Sequence, residues 1–293
     1  MIREKKTISG RLCEVDFYPI FENGRAMPTR APKTKRSTAA QEKYNKNQAI
    51  KEFVRLVNAN FETGDSWVHI TYNTDNAPQD EEITKKDINN FLRRIKRARA
   101  KELKRVNALL LLAPEDERLI EKKRKLEQPF LYAYPLEEQI YKTGKNKGKS
   151  NWHAHIFMTG GLDRDTIEDL WTFGRVNADR FQPEKFGPEA AALYCMKDPR
   201  GVKRFYSSRG MKKPIVEKPK DGRITPRGVE KLARERVDDK EYWEKRYKGY
   251  KFIRCYARYN EYNGHWYVSA ILYKAETDAE IPPWSMDDWM EDW

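Results

Sequence analysis

Apolar and polar positions alternate with a period of two in several short stretches of the chain, and they follow a helical period in the longer stretches between them. The run Trp152-His-Ala-His-Ile-Phe157 is apolar and β-prone, which predicts a buried strand. Residues two apart on a strand share a face, so His153 and His155 point one way while Trp152, Ala154 and Ile156 point the other. Trp67–Asn73, Phe130–Glu138 and Val176–Phe181 also read as strands, and Thr7–Ile20 as a weakly alternating strand or hairpin at a sheet edge. Tyr141–Ser150 is polar and rich in Gly and Lys, so it reads as a long hairpin loop. That loop sets Glu137 or Glu138 beside the histidines, and a one-residue slip in register decides which.

Helical periodicity fills the gaps. A helix beginning near Thr38 carries Ile50, Phe53, Val54 and Val57 on one face. Thr84 with Asp87 resembles a capping box that opens a helix with Ile88, Phe91, Leu92 and Ile95 inward and Arg93, Arg94, Lys96, Arg97 and Arg99 largely outward. Glu102–Gln128 continues as helix with an interruption at Pro114. Asp163 caps another with Ile167, Leu170 and Trp171 inward, ending at Gly174. Pro188 starts a short helix that carries Tyr194 and Lys197 one turn apart on one face. Thr225-Pro226 starts a charged helix to about Tyr247, and Lys251–Tyr259 with His265–Tyr273 reads as a hairpin around Asn263-Gly264. Its aromatic stripe fits packing better than base stacking.

From Trp67 to Phe181 the order is β-α-β-β-α-β. This predicts an α+β fold of ferredoxin-like or RRM-like kind, an antiparallel sheet with both helices on one face. Ala154 and Ile156 would pack on the helices, and the histidines would look into the open face. Around this core (67–214) lie an N-terminal strand, basic linker and helix (1–66), a C-terminal helix and aromatic hairpin (215–274), and a tail (275–293).

Charge narrows the choice of partner. The chain of 293 residues has 58 Lys and Arg against 45 Asp and Glu, a net +13. Ala275–Trp293 alone carries seven acids and no Lys or Arg, which leaves +20 on the rest. A body this basic points to a polyanion, most simply nucleic acid. Arg93, Arg94 and Arg97 on the second helix, then Lys203, Arg204, Arg209, Lys212 and Lys213, are the candidate DNA contacts. The Pro-, Lys- and Arg-rich stretch after Asn23 reads as a flexible linker able to grip a phosphate backbone. The acidic tail, with Trp284, Trp289 and Trp293, reads as a solubilising end, a docking peptide for a replication partner, or a mask over the DNA site. Cys13, Cys195 and Cys255 form neither a disulfide framework nor a Cys-x-x-Cys zinc site. With no signal-peptide pattern and no long apolar run, the expectation is a cytoplasmic chain with no membrane partner.

Paired imidazoles on one strand suit a divalent metal, although the same pair also fits two half-buried polar residues. A tyrosine nucleophile, a lysine to hold phosphate and a metal to polarise it would together make a phosphodiester-cleaving set.

The ordered trio Ile70-Thr71-Tyr72, His153-x-His155 and Tyr194-x-x-Lys197 resembles the three motifs of HUH endonucleases. More closely, the chain is similar to single-tyrosine rolling-circle replication initiators of plasmids, mobile elements and small phages. Gly160-Gly-Leu-Asp-Arg-Asp, Lys197-Asp-Pro-Arg-Gly and Ser207-Ser-Arg-Gly-Met-Lys-Lys-Pro214 look like the bacterial replication-associated branch, and the similarity runs from about Ile2 to Tyr273. Ala154 is a smaller spacer than the bulky apolar residue usual in such a motif. Ala190 and Asp198 occupy the positions four away from Tyr194, so no second tyrosine accompanies it. The resemblance implies an endonuclease that nicks single-stranded or hairpin origin DNA. His153, His155 and Glu137 (alternatively Glu138) would hold Mn²⁺ or Mg²⁺, Tyr194 would be the nucleophile and Lys197 would position phosphate. A second strand transfer would need a second protomer, as in a homodimer, or an activated water. The chain has no Gly-rich P-loop, so a host helicase and polymerase are the implied partners. Position 159 is Thr, so the His-x-His-x-x-x-His cluster of a relaxase is absent from the sequence. A transposase of the same chemistry and a non-catalytic RRM-like binder are the other readings.

Overall fold

A computed structural model of the chain describes residues 1–21, 39–78, 80–142, 147–197 and 199–274. Much of the basic linker, Asp198 and the acidic tail therefore lie outside the described residues. The elements run β1 (Ile2–Ser9), β2 (Leu12–Pro19), α1 (Ala39–Asn60), β3 (Ser66–Thr71), α2 (Glu81–Leu112), α3 (Glu117–Glu127), β4 (Tyr132–Tyr134), β5 (Leu136–Ile140) and β6 (Ser150–Met158). They continue with α4 (Arg164–Asp169), β7 (Val176–Arg180), α5 (Pro183–Phe186), α6 (Ala190–Cys195), β8 (Tyr206–Ser207), β9 (Ile215–Val216) and β10 (Lys220–Asp221). Helices α7 (Pro226–Glu235) and α8 (Lys240–Arg246) and strands β11 (Lys251–Asn260) and β12 (His265–Tyr273) complete the series. The fold is mixed α+β with two antiparallel sheets, one in each of two compact units.

The catalytic candidates belong to the unit made of Asn60–Gln182 and Ala191–Met211. Its sheet has the order β7-β3-β6-β4-β8, with β5 also on β6, and every pair is antiparallel. The predicted strand Phe130–Glu138 is two strands, because Pro135 has no N–H to give the ladder and breaks β4 from β5. The apolar face of the sheet carries Val68, Ile70, Leu136, Ala154 and Ile156. They form one buried cluster with Ile88, Phe91, Leu92 and Ile95 of α2. Burying a side chain such as Phe91 contributes roughly 2–3 kcal/mol, so this face holds α2 against the sheet.

Several helix limits differ from those the sequence predicts. Asp80 rather than Thr84 caps α2, accepting from the Ile83 N–H at 2.8 Å, while the Thr84 hydroxyl donates back to the Asp80 carbonyl. An aspartate cap outcompetes the shifted box because its carboxylate meets the positive end of the helix. The expected break near Pro114 falls between α2 and α3, and Asp116 caps the restart. Helix α4 ends at Asp169, before Gly174, and α6 begins at Ala190 and stops at Cys195, which leaves Lys197 beyond its end. The helix expected from Pro226 to Tyr247 is interrupted between Glu235 and Lys240, where Asp239 caps α8.

Arg99 is not an outward-facing cation. It is buried, and its guanidinium donates to the carbonyls of Thr159, Lys125, Leu126 and Gln128 at 2.9–3.3 Å. Desolvation lowers its pKa to about 10, offset in part by the Asp65 charge. One side chain thus satisfies four carbonyls where α3 and β6 end. Nearby, Gly161 has φ +107°, and a Cβ there would come within 2.9 Å of Leu126.

The other unit combines Met1–Ala59, Pro183–Ala190 and the described residues from Lys212 onward. Its sheet has the order β10-β1-β2-β12-β11, with β9 on β1. The N-terminal hairpin is therefore not at a sheet edge, since β2 is interior and pairs with β12 over Phe17–Val268 and Leu12–Tyr273. Gly10 turns the hairpin at φ +58°, and a Cβ there would lie 2.0 Å from the Asn58 carbonyl oxygen of α1. One sheet face is closed by Val229 and Leu232 of α7 and by Trp243 of α8, which is fully buried. The Trp243 indole N–H donates to the Arg236 carbonyl.

Arg99→Leu should lower the stability of the chain by about 2–4 kcal/mol, because it strands four buried carbonyls. Arg97→Leu, on the exposed side of the same helix, should change it by less than about 0.5 kcal/mol. Urea unfolding midpoints of the two variants check the contrast.

Candidate metal centre and nucleophile

Register builds the site. On β6, His153 lies opposite Thr71 of β3 and Glu137 of β5, and His155 lies opposite His69 of β3. Alternation then puts Trp67, His69, Thr71, Glu137, His153, His155 and Phe157 on the face away from α2. His153 Nε2 lies 2.8 Å from Glu137 Oε2, and His155 Nε2 lies 3.8 Å from Glu137 Oε1. Glu138 pairs with Trp152 in register and accepts from the Ser150 hydroxyl, so of the two glutamates it is Glu137 that faces the histidines.

His69 joins the group. Its ring centroid lies 3.8 Å from that of His155, and ligand atoms of His69, His153 and His155 all fall within 4.8 Å of one another. This cluster could hold a metal ion. Two observations bear on the fit. His155 Nδ1 and Glu137 Oε1 are buried without a hydrogen-bond partner, an arrangement that costs roughly 1–3 kcal/mol for each atom unless something pairs with it. His155 is also driven toward its neutral form: burial first, then the charges of His69 and His153, pull its pKa down to about 2. Burial and the charge of His153 pull His69 down to about 4. Neutral imidazoles are the ligand form, so the residues present fit a divalent cation.

His69 escapes a linear reading because it sits in neither the His-x-His pair nor the Tyr helix. Its signal is parity, a polar residue at the centre of Trp67-Val-His-Ile-Thr71, on the same face as Trp67 and Thr71.

Tyr194 stands over this face from α6. Its ring meets that of His155 edge-on at 5.0 Å and that of Trp67 edge-on at 6.0 Å. Burial, then the negative charge of Glu137, holds the phenol above its ordinary pKa. The face expected to be open is therefore covered over the strand: His155 is only 1 % exposed, whereas His69 is half-buried. The stacked rings of Trp67 and Phe157, at 6.2 Å, wall one side. Lys197 is exposed, and its backbone N–H donates to the Tyr194 carbonyl in the turn after α6. Thr71 lies opposite His153. Tyr72 turns to the apolar face, where its hydroxyl donates to Asp87 at 3.2 Å and its ring meets Trp171.

The structure does not gather the candidate DNA contacts with this group. Helix α2 packs on the apolar face, so Arg93, Arg94 and Arg97 belong to the opposite side of the sheet from the histidines. Arg94 is half-buried and donates to the Leu170 carbonyl at 3.0 Å, while Arg93 and Arg97 are exposed. Lys203, Arg204 and Arg209 are exposed in the segments flanking β8, with Lys203 over the Tyr206 ring. Lys212 and Lys213 open the stretch that belongs to the other unit.

No protein-family model, no curated protein and no solved structure matches the chain. Among the described residues, no helix is long and apolar enough to cross a membrane.

Isothermal titration with Mn²⁺ should show at least a tenfold loss of affinity for His69→Ala and for Glu137→Gln, and less than a twofold change for Glu138→Gln. Equal losses for the two glutamates would contradict the register argument.

Proposed function

We propose that the unit carrying Tyr194 is a metal-dependent single-stranded DNA endonuclease of HUH type, acting as a rolling-circle replication initiator. The observation that carries the reading is the convergence of a phenol with three imidazoles and a carboxylate on one sheet face. The element order β3-α2-α3-β4/β5-β6-α4-β7, with α2 and α3 together in the place of the first helix and β3 and β6 central in the sheet, supports the ferredoxin-like β-α-β-β-α-β arrangement.

His69, His153, His155 and Glu137 would hold the metal, and imidazole donors favour Mn²⁺ over Mg²⁺. A bound divalent ion supplies Lewis-acid polarisation of a non-bridging phosphate oxygen and offsets the Glu137 charge that now opposes ionisation of Tyr194. Tyr194 Oη would attack phosphorus and give up its proton to solvent water. The P–O3′ bond breaks, and the leaving oxygen takes a proton to become a free 3′-hydroxyl that a host polymerase extends. The 5′-phosphate stays on Tyr194 as a phosphodiester, which conserves the bond for rejoining. Lys197, just past the helix end, would steady the phosphate. Rejoining is attack of a 3′-hydroxyl on that phosphotyrosine, with Tyr194 as the leaving group; a second strand cleavage would need a second protomer or an activated water, and a host helicase would open the duplex.

His69 also favours a second reading within the same chemistry. A relaxase needs a third histidine; here one comes from β3 instead of from position 159.

Incubated with pooled single-stranded DNA and Mn²⁺, the protein should form a protease-sensitive covalent adduct. Tyr194→Phe should abolish that adduct while changing oligonucleotide affinity by less than about threefold, and His153→Ala with His155→Ala should abolish metal-dependent nicking. An adduct that persists in Tyr194→Phe would assign another nucleophile, and DNA binding with neither adduct nor metal affinity would leave a non-catalytic binder.

A further inference from the structure

The unit built on β1, β2, β11 and β12 carries a cavity of about 500 Å³ where β1 meets β10 and the end of α8. Its deepest charged group is Glu4, 6 % exposed. Glu4 Oε2 accepts from the Arg246 guanidinium at 3.0 Å and Oε1 from the Tyr247 hydroxyl at 2.9 Å. Arg246 is held in turn against the Phe17 and Tyr247 rings at 5.3 and 5.7 Å. The other carboxylate of the wall, Glu217, accepts from Lys6 Nζ at 2.9 Å. Both acids are therefore matched by cations of their own.

Three further cations line the same cavity: Lys220, Arg223 and Lys248. Register sets Lys220 opposite Glu4 across β1 and β10, and Gly222 and Gly249, with φ of +74° and +84°, turn the chain beside Arg223 and Lys248. All three are exposed, and none makes an ion pair or side-chain hydrogen bond with a described residue. The lining thus carries a surplus of three positive charges in a concavity, with the Tyr247 and Tyr250 rings beside them. A concave cluster of unmatched cations focuses field onto an anion. Rim cations in water suit a polymer that passes across the opening better than a small ligand that must be enclosed.

We propose that this cavity binds backbone phosphates of a nucleic-acid strand, a second grip in a unit separate from the nicking centre. This rests on the reading that the chain acts on DNA. The paired Glu4 and Arg246 form a fixed floor, Lys220, Arg223 and Lys248 contact phosphate oxygens, and Tyr250 offers a ring to a neighbouring base.

The test uses the full chain and the variant Lys220→Ala/Arg223→Ala/Lys248→Ala, with a fluorescein-labelled single-stranded oligonucleotide followed by anisotropy across a salt series. Binding should weaken about tenfold or more near 0.1 M salt. The slope of log K against log salt should become shallower by about 2, which is roughly three phosphates at 0.7 each. Pyrophosphate should displace the oligonucleotide from the parent at lower concentration than from the variant, and Mn²⁺ affinity should be the same in both. Oligonucleotide affinity and salt slope equal to those of the parent would overturn the proposal while leaving the nicking reading intact. Strong, cavity-dependent DNA binding without any adduct would do the reverse, sinking the nicking reading and keeping the grip. Pyrophosphate heat in a parent chain that binds no oligonucleotide would overturn the strand-binding role and leave a site for small polyphosphates.

Discussion

The cross-strand register of β3, β5 and β6 is the constraint on which the histidine-bearing unit depends. Strand pleating sends successive side chains to opposite faces, so once Ala154 and Ile156 are committed to α2, His153 and His155 have no choice of side. A slip of one residue would bury two imidazoles against Phe91 and Leu92 and turn Ile156 out. The apolar face therefore enforces the polar one, and Glu137 falls beside His153 for the same reason that Leu136 falls beside Ala154.

The polar face is assembled against its own stability. Three imidazoles and a carboxylate are crowded together, two buried atoms among them have no hydrogen-bond partner, and His155 is held neutral far below its ordinary range. Polar groups placed this way persist only where the surrounding packing is strong enough to impose them. Here the packing comes from α2 on one side and from the Trp67, Phe157 and Tyr194 rings on the other. Arg99 shows the opposite use of a buried polar group. It is also desolvated, but its guanidinium donates to four carbonyls and lies over the Phe130 ring, so it ties segments together instead of presenting itself to a ligand.

The second unit handles charge differently. Buried Glu4 and partly exposed Glu217 each have a cation of their own, and the surplus lies with three cations at the rim of a cavity. In the linear sequence Lys220, Arg223 and Lys248 look like any of the many basic residues of this chain. Only pairing shows which cations the fold has spent on its own carboxylates.

How far the sequence reaches follows from the range of the forces involved. Period-two alternation placed β3, β6 and β7 and the β11–β12 hairpin, and period 3.6 placed the inward face of α2, because these depend on neighbours a few residues away. His-x-His and Tyr194 were legible for the same reason. Helix ends were less so: Asp80 took the cap from Thr84, and α6 stopped short of Lys197, since caps and endings answer to competition among nearby donors and acceptors. What lay beyond the sequence was everything set by partners distant along the chain. These include the interior position of β2 beside β12, the burial of Arg99, the choice of Glu137 over Glu138 and the arrival of His69 beside His155. Each depends on which strand lies alongside which, and that is decided by the simultaneous burial of apolar faces from separate segments, a condition only the folded chain can meet.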